Sequence, residues 1–150
     1  MDKFINTRQA TLADLNQILK IETLSFEKEK FSREQFIYLI SRAKGIFFVA
    51  EFDNSIVGYI SLLQRSNSKN LRIYSIAVHP KARGQRIGQR LIDISKEFMK
   101  TKELMSIYLE VRTDNTEAIK LYNKNDFIVI DIIHGYYGKG KDAFKMRFFI

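Results

Sequence analysis

The stretch from Leu71 to Lys100 constrains the fold of this 150-residue chain more than any other. Leu71–Val78 (LRIYSIAV) reads as a strand ending at His79-Pro80, the latter the only proline. Ile87, Leu91, Ile94 and Phe98 then recur at i, i+4, i+7 and i+11, so a helix begins near Ile87. Between strand and helix lies a short basic turn holding Gly84 and Gly88. This arrangement suits phosphates: the first N–H groups of a helix lack intrahelical partners and sit at the positive end of its dipole. The glycines let backbone approach a ligand closely, and Arg83 and Arg86 supply charge. The spacing G-x-x-x-x-G-K followed by Ser or Thr is absent, which disfavours a nucleotide P-loop.

Charge is concentrated in the same region. Arg65 to Lys102 carries ten basic residues against Asp93 and Glu97, a net +8, while the remainder balances at 15 of each sign. Such an excess suits nucleic acid, a ribosomal surface or a phosphorylated cofactor; a solvated basic helix face is the plain alternative. With 45% hydrophobic residues the chain reads as one globular domain over residues 1–150. It has no cysteine, so a disulfide framework, a cysteine nucleophile and a thiolate metal site are all excluded. The two histidines, His79 and His134, lie far apart and suggest no metal site. No apolar run reaches the roughly 20 residues that span a bilayer, and the start resembles no signal peptide. The expectation is a cytoplasmic protein.

Elsewhere, Phe4–Gln9 reads as a short strand, and Thr11 with Asp14 opens an amphipathic helix. Ser32 with Gln35 is a capping-box pattern for a second helix. Ile46–Phe52 and Ile56–Arg65 form a hairpin across Asp53-Asn54-Ser55. Ser106–Arg112 is a strand, Asp114 or Asn115 caps a helix through Tyr122, and Phe127–His134 and Ala143–Ile150 are two more strands. The order β-α-α-β-β-β-α-β-α-β-β predicts a mixed α/β (α+β) sheet rather than a regular βαβ array.

Two blocks carry a family resemblance. SIAVHPKARGQRIGQRLI resembles the acetyl-CoA signature of the GNAT superfamily, in which a strand feeds a Q/R-x-x-G-x-G/A loop. Arg83 fills the first position and Gly88 the last, while Arg86 stands where the middle glycine is usual. LEVRTDNTEAIKLYNKNDF resembles the block of protein N-terminal acetyltransferases, closest to the ribosomal-protein-alanine type. Asp126 replaces the family glycine there. The resemblance spans about Ser75 to Phe127. It implies the GNAT fold, with about seven mostly antiparallel strands flanked by about four helices. It also implies acetyl-CoA as cosubstrate, with no metal. The implied cofactor contacts are the backbone of Ile76, Ala77 and Val78, the turn Arg83, Gly84, Gln85, Arg86, Ile87, Gly88 and Gln89, and Asn115 and Ala118 beyond.

Acetyl transfer requires a neutral amine, donors for the tetrahedral oxyanion and an acid for the departing thiolate. Glu110 shares a strand face with Tyr108 and Arg112. It is either a surface carboxylate paired with Arg112 or, as the resemblance implies, the proton acceptor. Tyr122, twelve residues on, is either a helix tyrosine packed on the core or, by resemblance, the general acid. Asn115 is a helix cap to which the resemblance adds a cofactor hydrogen bond. His79 reads as a strand-end residue rather than a catalyst, and His134 carries no assigned role.

The acceptor is less defined. Tyr136 and Tyr137 in GYYGKG resemble a tyrosine-bearing loop that lines the peptide groove of N-terminal acetyltransferases; a hairpin corner is the alternative. Phe31 stands where the ribosomal-protein family tends to carry tryptophan, and Lys30 replaces its proline. Glu27 and Glu29 suit cationic amines. Three readings follow: a peptide N-terminal acetyltransferase, including one for a ribosomal protein; a GNAT for a polyamine, other small amine or lysine side chain; and a non-catalytic module for CoA or nucleic acid. Glu110 and Tyr122 at family spacing argue against the last. No membrane partner is expected.

Overall fold

The computed structural model describes residues 4–25 and 31–150. Glu27, Glu29 and Lys30 lie outside the described residues. In chain order the elements are β1 (Asn6–Gln9), α1 (Leu15–Ser25), α2 (Arg33–Ser41), β2 (Gly45–Phe52), β3 (Ser55–Gln64), β4 (Asn70–Val78), α3 (Ile87–Thr101), β5 (Ser106–Arg112), α4 (Thr116–Lys124), β6 (Ile128–Ile133) and β7 (Ala143–Phe149). The strands form one sheet in the order β1-β2-β3-β4-β5-β7-β6. Only the β4–β5 pairing is parallel.

Alternation along the strands sends apolar side chains to both faces. On one face, Ile60, Leu71, Ile107 and Leu109 meet Ile87, Leu91 and Ile92 of α3 and Tyr122 of α4. On the other, Phe47, Val49 and Tyr59 meet Ile18 and Ile21 of α1 and Phe36 of α2. Burying each of these large side chains contributes about 1.5–3 kcal/mol. No helix among the described residues is long and apolar enough to cross a membrane.

Local signals hold with small shifts. Ser32 and Gln35 form the capping box, with Gln35 N–H donating to Ser32 Oγ (3.2 Å) and Ser32 N–H to Gln35 Oε1 (2.7 Å). The β2–β3 turn places Asp53 and Asn54 at φ 53° and 63°, as a two-residue hairpin requires. The first helix starts later than its cap suggests, because Leu12–Asp14 forms a 3-10 turn before α1. Asp14 is drawn back there by Arg8 (2.8 Å) and by Thr11 N–H (2.8 Å). The first strand begins at Asn6 rather than Phe4, which stands exposed.

One irregularity positions the site. Ser61 pairs with Ser75, but its neighbour Leu62 pairs with Ile73, so Tyr74 is an extra residue in β4. A bulge of this kind bends its strand. On the other edge, β4 pairs with β5 only at Asn70–Ser106, Leu71–Ile107 and Arg72–Tyr108. Beyond that point the two strands splay, and the β4 edge from Ile73 to Val78 lies outside the ladder.

Candidate active site

The basic turn sits at the open end of this splay. Pro80–Ala82 forms a short 3-10 turn whose first N–H groups are capped by His79, Nδ1 accepting from Lys81 N–H at 3.1 Å. His79 is therefore a turn-capping residue. Gly84 has φ +82°, and a Cβ built there meets nothing within 4 Å, so this glycine answers backbone conformation rather than crowding. Arg86 precedes α3 in the left-handed region (φ 63°, ψ 27°) and gives the helix no side-chain cap. The leading N–H groups of Ile87, Gly88 and Gln89 thus meet no protein side chain at their cap, and Arg83 and Arg86 are exposed beside them. Gly88 has a second role: a Cβ there would lie 3.1 Å from Leu121 Cδ2, so its absence lets α3 and α4 pack closely. These residues fit a phosphate-bearing cosubstrate.

Other expected contacts are partly committed within the protein. Asn115 caps α4, its Oδ1 accepting from Ala118 N–H at 3.3 Å. Gln89 and Asn125 exchange amide hydrogen bonds of 2.7 and 2.9 Å, tying α3 to the end of α4. The backbone of Ile76, Ala77 and Val78 pairs with β3 on one edge and faces the splay on the other. Part of the basic excess is also structural: Arg90 donates to the Ile5 carbonyl (2.7 Å) and Lys96 to that of Asn125 (2.8 Å).

Both departures from the family glycines stand at positive φ. Arg86 has φ 63° and Asp126 has φ 67°. Glycine suits these positions because a Cβ is strained there, and the chain tolerates that strain at both.

Glu110 lies where β4 and β5 part, on the face of α1 and α2. The alternative pairing with Arg112 is not formed. Arg112 binds Asp114 instead (2.9 Å), whereas Glu110 Oε1 lies 3.0 Å from Arg72 Nη2. Arg72 was not singled out by sequence reasoning; a lone arginine between Leu71 and Ile73 was the available signal. Burial works against its charge, but Glu110, Tyr136 and Tyr108 outweigh this and raise its pKa. Arg72 also donates to the Tyr136 hydroxyl (3.1 Å) and lies 5.3 Å from the Tyr74 ring centroid. Tyr74 in turn stacks on Phe31 at 5.2 Å. The expected acceptor residues Phe31 and Tyr136 are thereby joined to Glu110 through Arg72 and Tyr74. Tyr137 packs edge-on against Tyr136 and donates to the Glu110 carbonyl at 3.3 Å. Glu110 Oε2 is buried without a hydrogen-bond partner, an unused acceptor beside the splay.

Tyr122 lies on the opposite face, within the core under α3 and α4, its ring 5.7 Å from Phe127. Burial, reinforced by Tyr137, pushes its phenol well above the ordinary tyrosine range, so it stays protonated at neutral pH. Glu110 and Tyr122 therefore flank β5 from its two faces. His134 pairs with Asp142 on the surface (3.1 Å). No cluster of His, Asp or Glu side chains that would hold a metal occurs among the described residues.

A sequence profile described as the Acetyltransferase (GNAT) family matches residues 12–127, more than half of the chain. The chain belongs to the GNAT acetyltransferase family. It is 35% identical over 150 residues to the N-alpha-acetyltransferase of Sulfurisphaera tokodaii, covering 93% of this chain and 89% of that protein. Its fold matches the crystal structure of the ribosomal-protein-S18-alanine N-acetyltransferase from Escherichia coli, with TM-score 0.87, 20% identity, and coverage of 98% and 94%. It also matches the structure of yncA from Salmonella typhimurium with its cofactor acetyl-CoA, with TM-score 0.81, 18% identity, and coverage of 97% and 93%. This GNAT chain is an acyltransferase of the N-alpha-acetyltransferase group.

Proposed function

We propose that this protein transfers the acetyl group of acetyl-CoA directly to the α-amine of a peptide N-terminus, ribosomal proteins being among the acceptors. The observation that carries the reading is the splay beyond Arg72–Tyr108, with Glu110 on one face and Tyr122 on the other. Supporting it are the N-alpha-acetyltransferase relative and the tyrosines beside Glu110. The ribosomal acceptor is carried over from the E. coli neighbour.

In this reading Arg83, Arg86 and the leading N–H groups of α3 hold the cosubstrate's phosphates, and the free edge of β4 aligns its arm. The cosubstrate supplies an activated thioester carbonyl. The amine nitrogen forms a bond to that carbonyl carbon as Glu110 takes its proton, directly or through water. The C–S bond then breaks, and Tyr122 gives its proton to the departing thiolate. Arg72 holds one oxygen of Glu110 and leaves Oε2 to accept. The second reading, a polyamine or lysine acceptor, receives no support from this face: Arg72, Lys145 and Arg147 surround Glu110 along neighbouring strands.

Thiol release from acetyl-CoA is the test, with alanine- and serine-starting peptides, N-terminally blocked lysine peptides and spermidine as acceptors. Release with free N-terminal peptides alone is expected. Release with spermidine or blocked lysine peptides, and none with free N-termini, overturns the reading.

A further inference from the structure

A second concavity opens on the Glu110 face, toward the start of β4 and β5. It encloses about 210 Å³ and is lined by Arg65, Ser68, Asn70, Tyr108, Lys145 and Arg147. Its floor is Tyr108, whose ring centroid lies 4.9 Å from Lys145 Nζ and 5.1 Å from the Arg147 guanidinium carbon. The Ser68 hydroxyl is held in place by Asn70 N–H at 3.0 Å. None of the three cations forms an ion pair with a carboxylate among the described residues. Arg147 Nε is moreover buried without a hydrogen-bond partner. Three like charges converging on one polar pocket, one with an unused buried donor, suit an anion that accepts several hydrogen bonds.

The cosubstrate's phosphates do not account for this charge. The basic turn follows Val78, whereas the pocket adjoins Asn70, at the other end of a nine-residue strand. That separation is roughly 25 Å along the strand.

Register ties the pocket to the reacting centre instead. Tyr108 precedes Glu110 by two residues on the same face of β5, a step of about 7 Å. Across the sheet Lys145 partners Glu110, and Arg147 partners Tyr108. An extended peptide advances about 3.3–3.6 Å per residue. With its α-amine at Glu110, the side chain of its second or third residue reaches the pocket.

Resting on the N-terminal reading above, we infer that this pocket binds a carboxylate side chain at the second or third position of the acceptor. The enzyme then favours N-termini followed by Asp or Glu and disfavours those followed by Lys or Arg.

Initial-rate kinetics with the full-length protein test this. The probes are octapeptides that begin with alanine and carry Asp-Asp, Asn-Asn or Lys-Lys at positions two and three. The expected result is a KM for Asp-Asp about tenfold below that for Asn-Asn, with Lys-Lys highest. Arg147→Gln and, separately, Lys145→Met should collapse the Asp-to-Asn ratio toward one. Arg147→Glu should move the preference toward Lys-Lys, a reversal that a merely unstable protein would not give. Transfer to all three peptides with equal KM overturns this inference and leaves the N-terminal reading standing. Transfer to none of them, with spermidine accepted, overturns both. An equal KM series joined to RNA binding that Arg147→Glu abolishes assigns the pocket to RNA and overturns the inference.

Discussion

Arg72 Nη2 lies 3.0 Å from Glu110 Oε1 and also donates to the Tyr136 hydroxyl at 3.1 Å, so one guanidinium holds both the candidate base and the tyrosine loop. Lysine keeps the charge but not the planar fork. Arg72→Lys should therefore raise the acceptor KM severalfold with a modest fall in kcat, while Arg72→Met should lower kcat further. Equal effects of the two variants on both constants would reduce Arg72 to a packing residue.

Glu110 is expected to act as proton acceptor. Glu110→Gln should lower kcat by about 10²–10⁴-fold, the usual range for a general base. Acetyl-CoA affinity, read by calorimetry, should remain near wild type. A wild-type rate would remove the role.

Tyr122→Phe keeps the ring against Phe127 and removes only the hydroxyl. Turnover should fall by about 10²-fold with little loss of thermal stability. An unchanged single-turnover rate would leave Tyr122 as a core residue alone.

Asp126 has φ 67° and is exposed. Asp126→Gly should relieve left-handed strain and raise stability by about 0.5–1 kcal/mol, offset in part by the entropy glycine adds to the unfolded chain. Denaturant melts give the sign directly.

Glu22 is buried and donated to by the Tyr59 hydroxyl at 2.7 Å. Burial pushes its carboxyl above the ordinary value of 4.5, with the Tyr59 bond opposing in part. Below 4.5 the group is protonated in both folded and unfolded chains. As pH rises, the unfolded chain loses this proton first, so the stability contributed by protonated Glu22 is lost until its folded pKa is passed. The melting temperature of Glu22→Gln relative to wild type should therefore climb from pH 4.5 toward neutrality. A difference independent of pH would contradict the shift.

Periodicity and capping chemistry placed α3, α4, β5 and the capping box of α2, because those signals are local: an i, i+4 stripe or a Ser–Gln pair is complete within one turn. The family blocks directed attention to Glu110, Tyr122 and the basic turn for the same reason, each being a short contiguous pattern. The pairing of Glu110 escaped such reasoning. Its near neighbour Arg112 was the natural partner by spacing, yet Arg72, 38 residues earlier in the chain, holds it because β4 lies beside β5. The bulge at Tyr74 likewise has no local mark, since it exists only as a mismatch in register between two strands. The cationic pocket draws on the β3–β4 loop, β4, β5 and β7. Local patterns along the chain fix the order of the elements and the chemical types available; the parallel pairing of β4 with β5, and the point at which it stops, settle which of those groups meet.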